Sequence, residues 1–343
     1  MFSMLDRQIA RHWRNKKWGR PKAQGGKAAR RVAVVGNCQS WGYAFAMKVF
    51  DPSLVVDRYP LTSPSLTDYK TLRAALDDYD IVFSQDFGAQ ILRDKATSDR
   101  LFADMPDIRR LPTVSFYGFH PDTIHLLDPT KDNRFILGAT GAYHSALTLF
   151  GHIRGFSVEQ TQALFTQEAF GFLGYFDIWS GAVQEVLRAG EAAGLRLDEA
   201  MTAWARGRAF MYTPAHPHPQ VMFDIARLAM DKAGMPRQSL ETGDYGVDDL
   251  SREYILPVYP PLAEYYGLRG STVFKLAHFK FSRGIGELFD LPEYIARSYA
   301  FYAQRRREQL VHERVDQWLA DEEVSRTLAH LSSQELRRRA LSR

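Results

Sequence analysis

The chain has 343 residues, 45% of them hydrophobic and 24% charged, with one cysteine and a formal net charge of +4. Such a composition belongs to a globular protein of one large domain or two smaller ones and excludes a wholly disordered chain. One cysteine excludes an internal disulfide and a cysteine-rich zinc site, and no apolar run approaches the roughly 20 residues of a membrane span, so a cytoplasmic location is expected.

The positive charge is concentrated at the start. Residues 7–31 hold ten Lys or Arg and no acid, whereas beyond residue 31 there are 34 basic and 39 acidic side chains. Phe2, Leu5, Ile9 and Trp13 recur at helical spacing among Arg7, Arg11 and Arg14. That pattern predicts a basic amphipathic helix, followed by a linker rich in Gly, Pro and Lys that ends near residue 30. Residues 1–24 are expected to meet an anionic membrane surface, the competing reading being a packed terminal helix with a solvated tether. Nucleic acid is not expected as a partner, because the basic charge lies in a tail and not on a folded face with interleaved aromatics.

From 31 to 140 the texture is α/β. Val32–Val35, Leu54–Asp57, Asp80–Ser84 and Thr113–Phe116 read as strands, with helices at Tyr69–Leu76 and Asp99–Met105. Alternation of this kind predicts a parallel sheet with crossover helices, whose ligands bind beyond the carboxyl ends of the strands. Cys38, Gln85-Asp86 and Tyr117–His120 would then meet at one rim. Residues 141–285 form a mainly helical region, with helices predicted over Ala142–Phe150, Val158–Leu173, Ile178–Ala193, Leu197–Ala205 and Val221–Ala233. This region is expected to close a cleft. Residues 286–343 read as a charged helical cap with i,i+4 pairs.

The only cysteine follows the first strand in Gly36-Asn37-Cys38-Gln39-Ser40, at the entry to a helix. A thiol there is favoured as thiolate, and backbone N–H groups around Asn37–Gln39 can bind an oxyanion or phosphate. The competing reading is a buried cysteine acting as a small hydrophobe. Histidines stand in suggestive settings at His120 (before Pro121-Asp122), His144, His216 and His218. Together with Cys38 they form the inventory of base-assisted or thiolate-assisted acyl transfer, although each histidine taken singly also reads as structural. A zinc site from His216, His218 and Asp122 lacks any recognised ligand spacing, so no metal is expected.

Five motifs occur in an order that resembles the WcbI family of capsular polysaccharide biosynthesis enzymes. They are Gly36-Asn37-Cys38-Gln39, Phe119-His120-Pro121-Asp122, Gly141-Ala142-Tyr143-His144-Ser145-Ala146, Phe210-Met211-Tyr212-Thr213 with His216-Pro217, and Tyr259-Pro260-Pro261-Leu262-Ala263. The resemblance covers roughly residues 31–280. It implies an acetyl-CoA-dependent O-acetyltransferase acting on a capsular or other cell-surface sugar, in the cytoplasm or peripheral at the inner membrane. On that reading Cys38, His144, Gln39 and His120 are the candidate catalytic residues, with His144 as general base. Gly36, Asn37, Cys38, Ser40, Arg134, Tyr143, His216, Lys275 and Arg283 are the candidates for binding coenzyme A, with Arg154 and Lys280 as further cations. A more distant likeness to the SGNH (GDSL-type) esterases rests on the register of Gly36-Asn37-Cys38. It keeps a Rossmann-like or SGNH-like sheet and an esterase or thioesterase open as alternatives. A non-catalytic module binding a glycan or nucleotide at a membrane surface is the remaining one.

Overall fold

A computed structural model describes residues 29–61, 68–131, 133–240, 242–246, 248–278 and 286–342. The expected amphipathic helix, Lys280 and Arg283 lie outside the described residues. The chain divides into two compact units that interleave along the sequence. The first takes the described residues up to Ser115 together with Glu185–Trp204 and His216–Leu250, and the second takes Phe116–Gln184, Ala205–Ala215 and Ser251 onward. They therefore do not follow the contiguous segments 31–140, 141–285 and 286–343.

The first unit is built on a four-stranded parallel sheet: β1 (Arg31–Gly36), β2 (Val55–Pro60), β3 (Ile81–Gln85) and β4 (Arg109–Leu111), in the order β2-β1-β3-β4. Helices α1 (Ser40–Phe50), α2 (Tyr69–Leu76) and α3 (Ser98–Asp104) supply the crossovers. β1 is buried at all six positions because a central strand of a parallel sheet is covered on both faces. Ala33 and Val35 pack with Leu72, Leu76 and Leu101 from α2 and α3. Right-handed crossovers put α1 on the opposite face. There it packs on helix Pro219–Lys232, with the Phe45 and Phe50 rings edge-on to Phe223 and Gly42 close against Met222.

Two local expectations are corrected here. The fourth strand is Arg109–Leu111 and not Thr113–Phe116. Pro112 cannot donate to the ladder, and the backbone of Val114 bonds to the Gln39 side chain instead of to β3. Arg31, counted above with the basic tail, is the first residue of β1 and only 2% exposed. Its backbone N–H donates to Asp80 at 2.7 Å, its guanidinium lies 3.8 Å from the Asp57 carboxylate, and the Tyr79 ring stacks beneath it.

The second unit is mainly helical. The predicted helix Ala142–Phe150 begins only at Ala146, because His144-Ser145 pairs antiparallel with Thr123-Ile124 and Ser145 caps the helix through Thr148 N. The stretch 158–173 is two short helices, Val158–Gln162 and Gln167–Phe172, since Ser157 and Thr166 each start one. The charged C-terminal region resolves into Leu291–Tyr302, Glu313–Ala320 and Glu322–Leu341. No helix of the described residues is long and apolar enough to cross a membrane.

Candidate functional site

In the order β2-β1-β3 the chain leaves β1 toward one side and later returns on the other. The carboxyl end of β1 is thus a topological switch point, where open parallel sheets bind ligands. Gly36 ends β1 there because β3 comes too close for a side chain: a Cβ would sit 2.1 Å from Gln85 Oε1. That oxygen accepts the Asn37 N–H at 3.1 Å. Asn37 Oδ1 accepts the Gln39 N–H at 2.9 Å, and Asn37 O accepts both the N–H and the hydroxyl of Ser40. Cys38 is held at the apex, half-buried and free of any disulfide.

This bonding changes two expected roles. The Asn37 and Gln39 N–H groups are consumed within the turn, so they cannot form the oxyanion site expected of them. Gln39 is fully buried, and its amide clamps Val114 by donating to its carbonyl at 2.7 Å and accepting its N–H at 2.9 Å. With both ends of the amide spent on backbone, Gln39 is a positioning residue. α1, in contrast, carries no side-chain cap at Gln39, which leaves its first turn suited to an anion.

Sequence reasoning missed Arg58. It stands near the end of β2, donates Nε to Ser40 Oγ at 2.9 Å, and faces the Trp41 ring at 5.9 Å. Burial lowers the pKa of its guanidinium, while Asp249 and the Cys38 thiolate act to raise it. A cation is therefore built beside the thiol. The available signal was a charged pair, Asp57-Arg58, inside a strand of a parallel sheet, where apolar runs are the rule. Trp41, Gly42, Pro217, Pro219, Met222 and Asp249 line a small pocket here, which brings Pro217 and Pro219 to the first turn of α1. His216, next to that pocket wall, is pushed down to about 4 by burial and stays neutral at physiological pH.

The other candidates lie in the second unit. His144 is 3% exposed, with Nε2 at 2.8 Å from Ile136 O and Nδ1 at 3.1 Å from Tyr302 OH. Burial pushes it down to about 4. A general base needs a nitrogen open to substrate, and both are occupied, so the surroundings of His144 are those of a structural cross-link. His120 is buried with Nε2 at 3.3 Å from Leu256 O and is also pushed down to about 4 by burial. The Lys275 ammonium donates to Glu253 O and Leu276 O and meets His278 Nδ1, which spends its donors inside the fold. Tyr143 OH accepts from Thr213 Oγ1 at 3.1 Å, and Arg134 and Arg154 are exposed. Among the described residues no group of three His, Cys, Asp or Glu is placed to hold a metal.

Three of the five motifs, and the Phe210–Thr213 part of a fourth, lie in this unit. Asp122 Oδ1 accepts the Leu147 N–H at 3.0 Å and the Tyr175 hydroxyl at 2.7 Å, while Oδ2 is buried without a hydrogen-bond partner. Burial raises Asp122 to about 6, against the pull of these bonds and of Arg314. Phe119 packs on Phe210 at 5.0 Å, and the buried Tyr259 hydroxyl is raised by burial first and by Asp122 next. These motifs build a core around one carboxyl group.

The first unit thus defines an open parallel α/β protein with a half-buried thiol at its switch point. The sequence pattern of the family described as "Polysaccharide biosynthesis enzyme WcbI" matches residues 31–238, and the chain belongs to that family. A solved structure of WcbI, described as a novel polysaccharide biosynthesis enzyme in its native form without a disulfide bond between coenzyme A and a cysteine, is similar at 16% identity. The alignment covers 88% of this chain and 99% of that one, with a TM-score of 0.61. No curated protein sequence matches.

Proposed function

We propose that this polysaccharide biosynthesis enzyme is an O-acetyltransferase that moves an acetyl group from acetyl-CoA to a hydroxyl of a cell-surface polysaccharide. The observation that carries the reading is the Cys38 thiol at the switch point, beside the buried Arg58 guanidinium and the uncapped first turn of α1. A cation and free helix-start donors fit the negative charge of an acyl-transfer transition state or of a phosphate. The similar structure is described as lacking a disulfide bond between coenzyme A and a cysteine, and Cys38 is the only cysteine of this chain.

Acetyl-CoA supplies an acyl carbon activated as a thioester. Arg58 favours the anionic form of Cys38, and the Cys38 sulfur takes the acyl group as the coenzyme thiolate departs. The acceptor hydroxyl then attacks the acyl group on Cys38, loses its proton to solvent, and returns Cys38 to the thiolate. Gln39 and Gln85 hold the turn so that the sulfur stays in register.

Coenzyme A release from acetyl-CoA, measured with and without de-O-acetylated polysaccharide from the source cells, tests the reading. Acceptor-dependent release is expected, reduced about 100-fold or more in Cys38→Ala, with an acetyl adduct on the wild-type chain by intact mass. Release independent of acceptor would instead support the esterase or thioesterase alternative. Near-normal turnover in Cys38→Ala would replace the covalent step by direct transfer.

A further inference from the structure

The second unit holds a cleft of about 740 Å³ whose lining combines Phe165, Phe176, Pro260, Pro261 and Tyr265 with glutamines, glutamates and arginines. Its size is that of a small-ligand site. Tyr265 is 60% exposed, unusual for a large ring, and its face stacks on Phe176 at 4.1 Å and 17°. Tyr266 meets it edge-on at 5.0 Å. The ring is thus fixed from two sides while most of its surface stays in solvent. Helix Pro260–Tyr266, started by two prolines, holds it on a rigid element.

The polar groups are also pre-set. Gln167 Nε2 donates to Glu264 Oε2 at 3.0 Å, and Glu335 receives Arg339 at 2.8 Å and Arg338 at 3.1 Å. Each keeps donors or acceptors beyond the bond it makes. A rigid, exposed aromatic platform ringed by planar amide, carboxylate and guanidinium groups matches a pyranose ring, which offers an apolar C–H face and a rim of vicinal hydroxyls. The charges decide the class of sugar. Glu335 is balanced by its two arginines, and Glu168 and Glu264 remain as carboxylates that repel an anion.

We propose that this cleft binds an uncharged segment of the acceptor polysaccharide, with Tyr265 as the stacking platform and Gln167, Glu264 and the Glu335–Arg339 pair as hydroxyl-binding groups. The proposal rests on the polysaccharide reading of the enzyme but not on Cys38 chemistry. The platform and the Glu335–Arg339 pair come from parts of the chain beyond the 31–238 family match.

The probe is surface polysaccharide from the source cells, de-O-acetylated with mild base and cut to oligosaccharides, with binding followed by calorimetry and saturation-transfer NMR on the full chain. Wild type and Cys38→Ala should bind equally, Tyr265→Phe should stay within about twofold, and Tyr265→Ala should weaken binding by about tenfold or more at unchanged Tm. Because Tyr265 is exposed, folding is not at stake. No binding by wild type, or equal binding by Tyr265→Ala, overturns the proposal. Acetyl transfer measured on the same proteins separates the two readings. Glycan binding without coenzyme A release removes only the acetyltransferase reading. Release whose KM for glycan is unmoved by Tyr265→Ala removes only the cleft.

Discussion

The turn at Cys38 and the cluster around Asp122 are both rich in polar side chains, yet they use them in opposite ways. At the turn, the neighbours of Cys38 saturate one another: Asn37 with Gln39 and Ser40, Gln85 with Asn37, Gln39 with Val114. That saturation leaves the sulfur at the apex beside Arg58. Around Asp122 and His144 polar atoms act as fasteners: both ring nitrogens of His144 and Asp122 Oδ1 are bonded inside the fold, while Asp122 Oδ2 and His120 Nδ1 are buried without a partner. An inventory of reactive residue types cannot tell these cases apart. What separates them is access: Cys38 is half-buried, whereas His120, Asp122 and His144 are closed off from solvent.

The sharpest way to break this contrast is to remove one group from each side. His144→Ala takes partners from Ile136 O and Tyr302 OH in a buried site and opens a cavity, at a cost of about 2–4 kcal/mol. It should lower Tm clearly while the Cys38 thiol of the folded protein keeps its alkylation rate. A normal Tm with lost turnover would restore His144 as a base.

Gln39→Leu sharpens the same contrast inside the turn. It leaves the buried N–H and C=O of Val114 without their partner, and a loss of about 2–5 kcal/mol in urea unfolding is expected. A loss under about 0.5 kcal/mol would show that Val114 finds other partners and that the clamp is not what holds the turn.

The smallest effect is the pH dependence of Tm. His120, His144 and His216 are held near 4, below the ordinary 6.5, so the unfolded chain takes up protons that the folded chain refuses as pH falls from about 6.5 to 4. Their contribution is complete above 6.5 and lost through that window. Asp122 acts with the opposite sign. Raised to about 6 from 3.8, it binds a proton in the folded state first and gains stability as pH falls from 6 to 4. Three groups against one predict a net fall in Tm from pH 7 to pH 4.5, steeper in Asp122→Asn. A flat or rising Tm would mean that the histidines are not neutral in the fold.

The parallel sheet, the thiol's place after β1 and the helix Tyr69–Leu76 were legible in the sequence, because periodicity, strand closure by glycine and capping are local properties. The turn at Gly36–Ser40, between the first strand and its helix, was readable for the same reason. The use made of each polar group was not. Arg58 reaches Ser40 across 18 positions, Gln39 reaches Val114 across 75, and His144 reaches Tyr302 across 158. Those partners are chosen by packing. By itself the sequence determined where a reactive group was present, and only the tertiary structure decided which groups stayed accessible, because most buried donors and acceptors are paired and the pairing runs between distant parts of the chain.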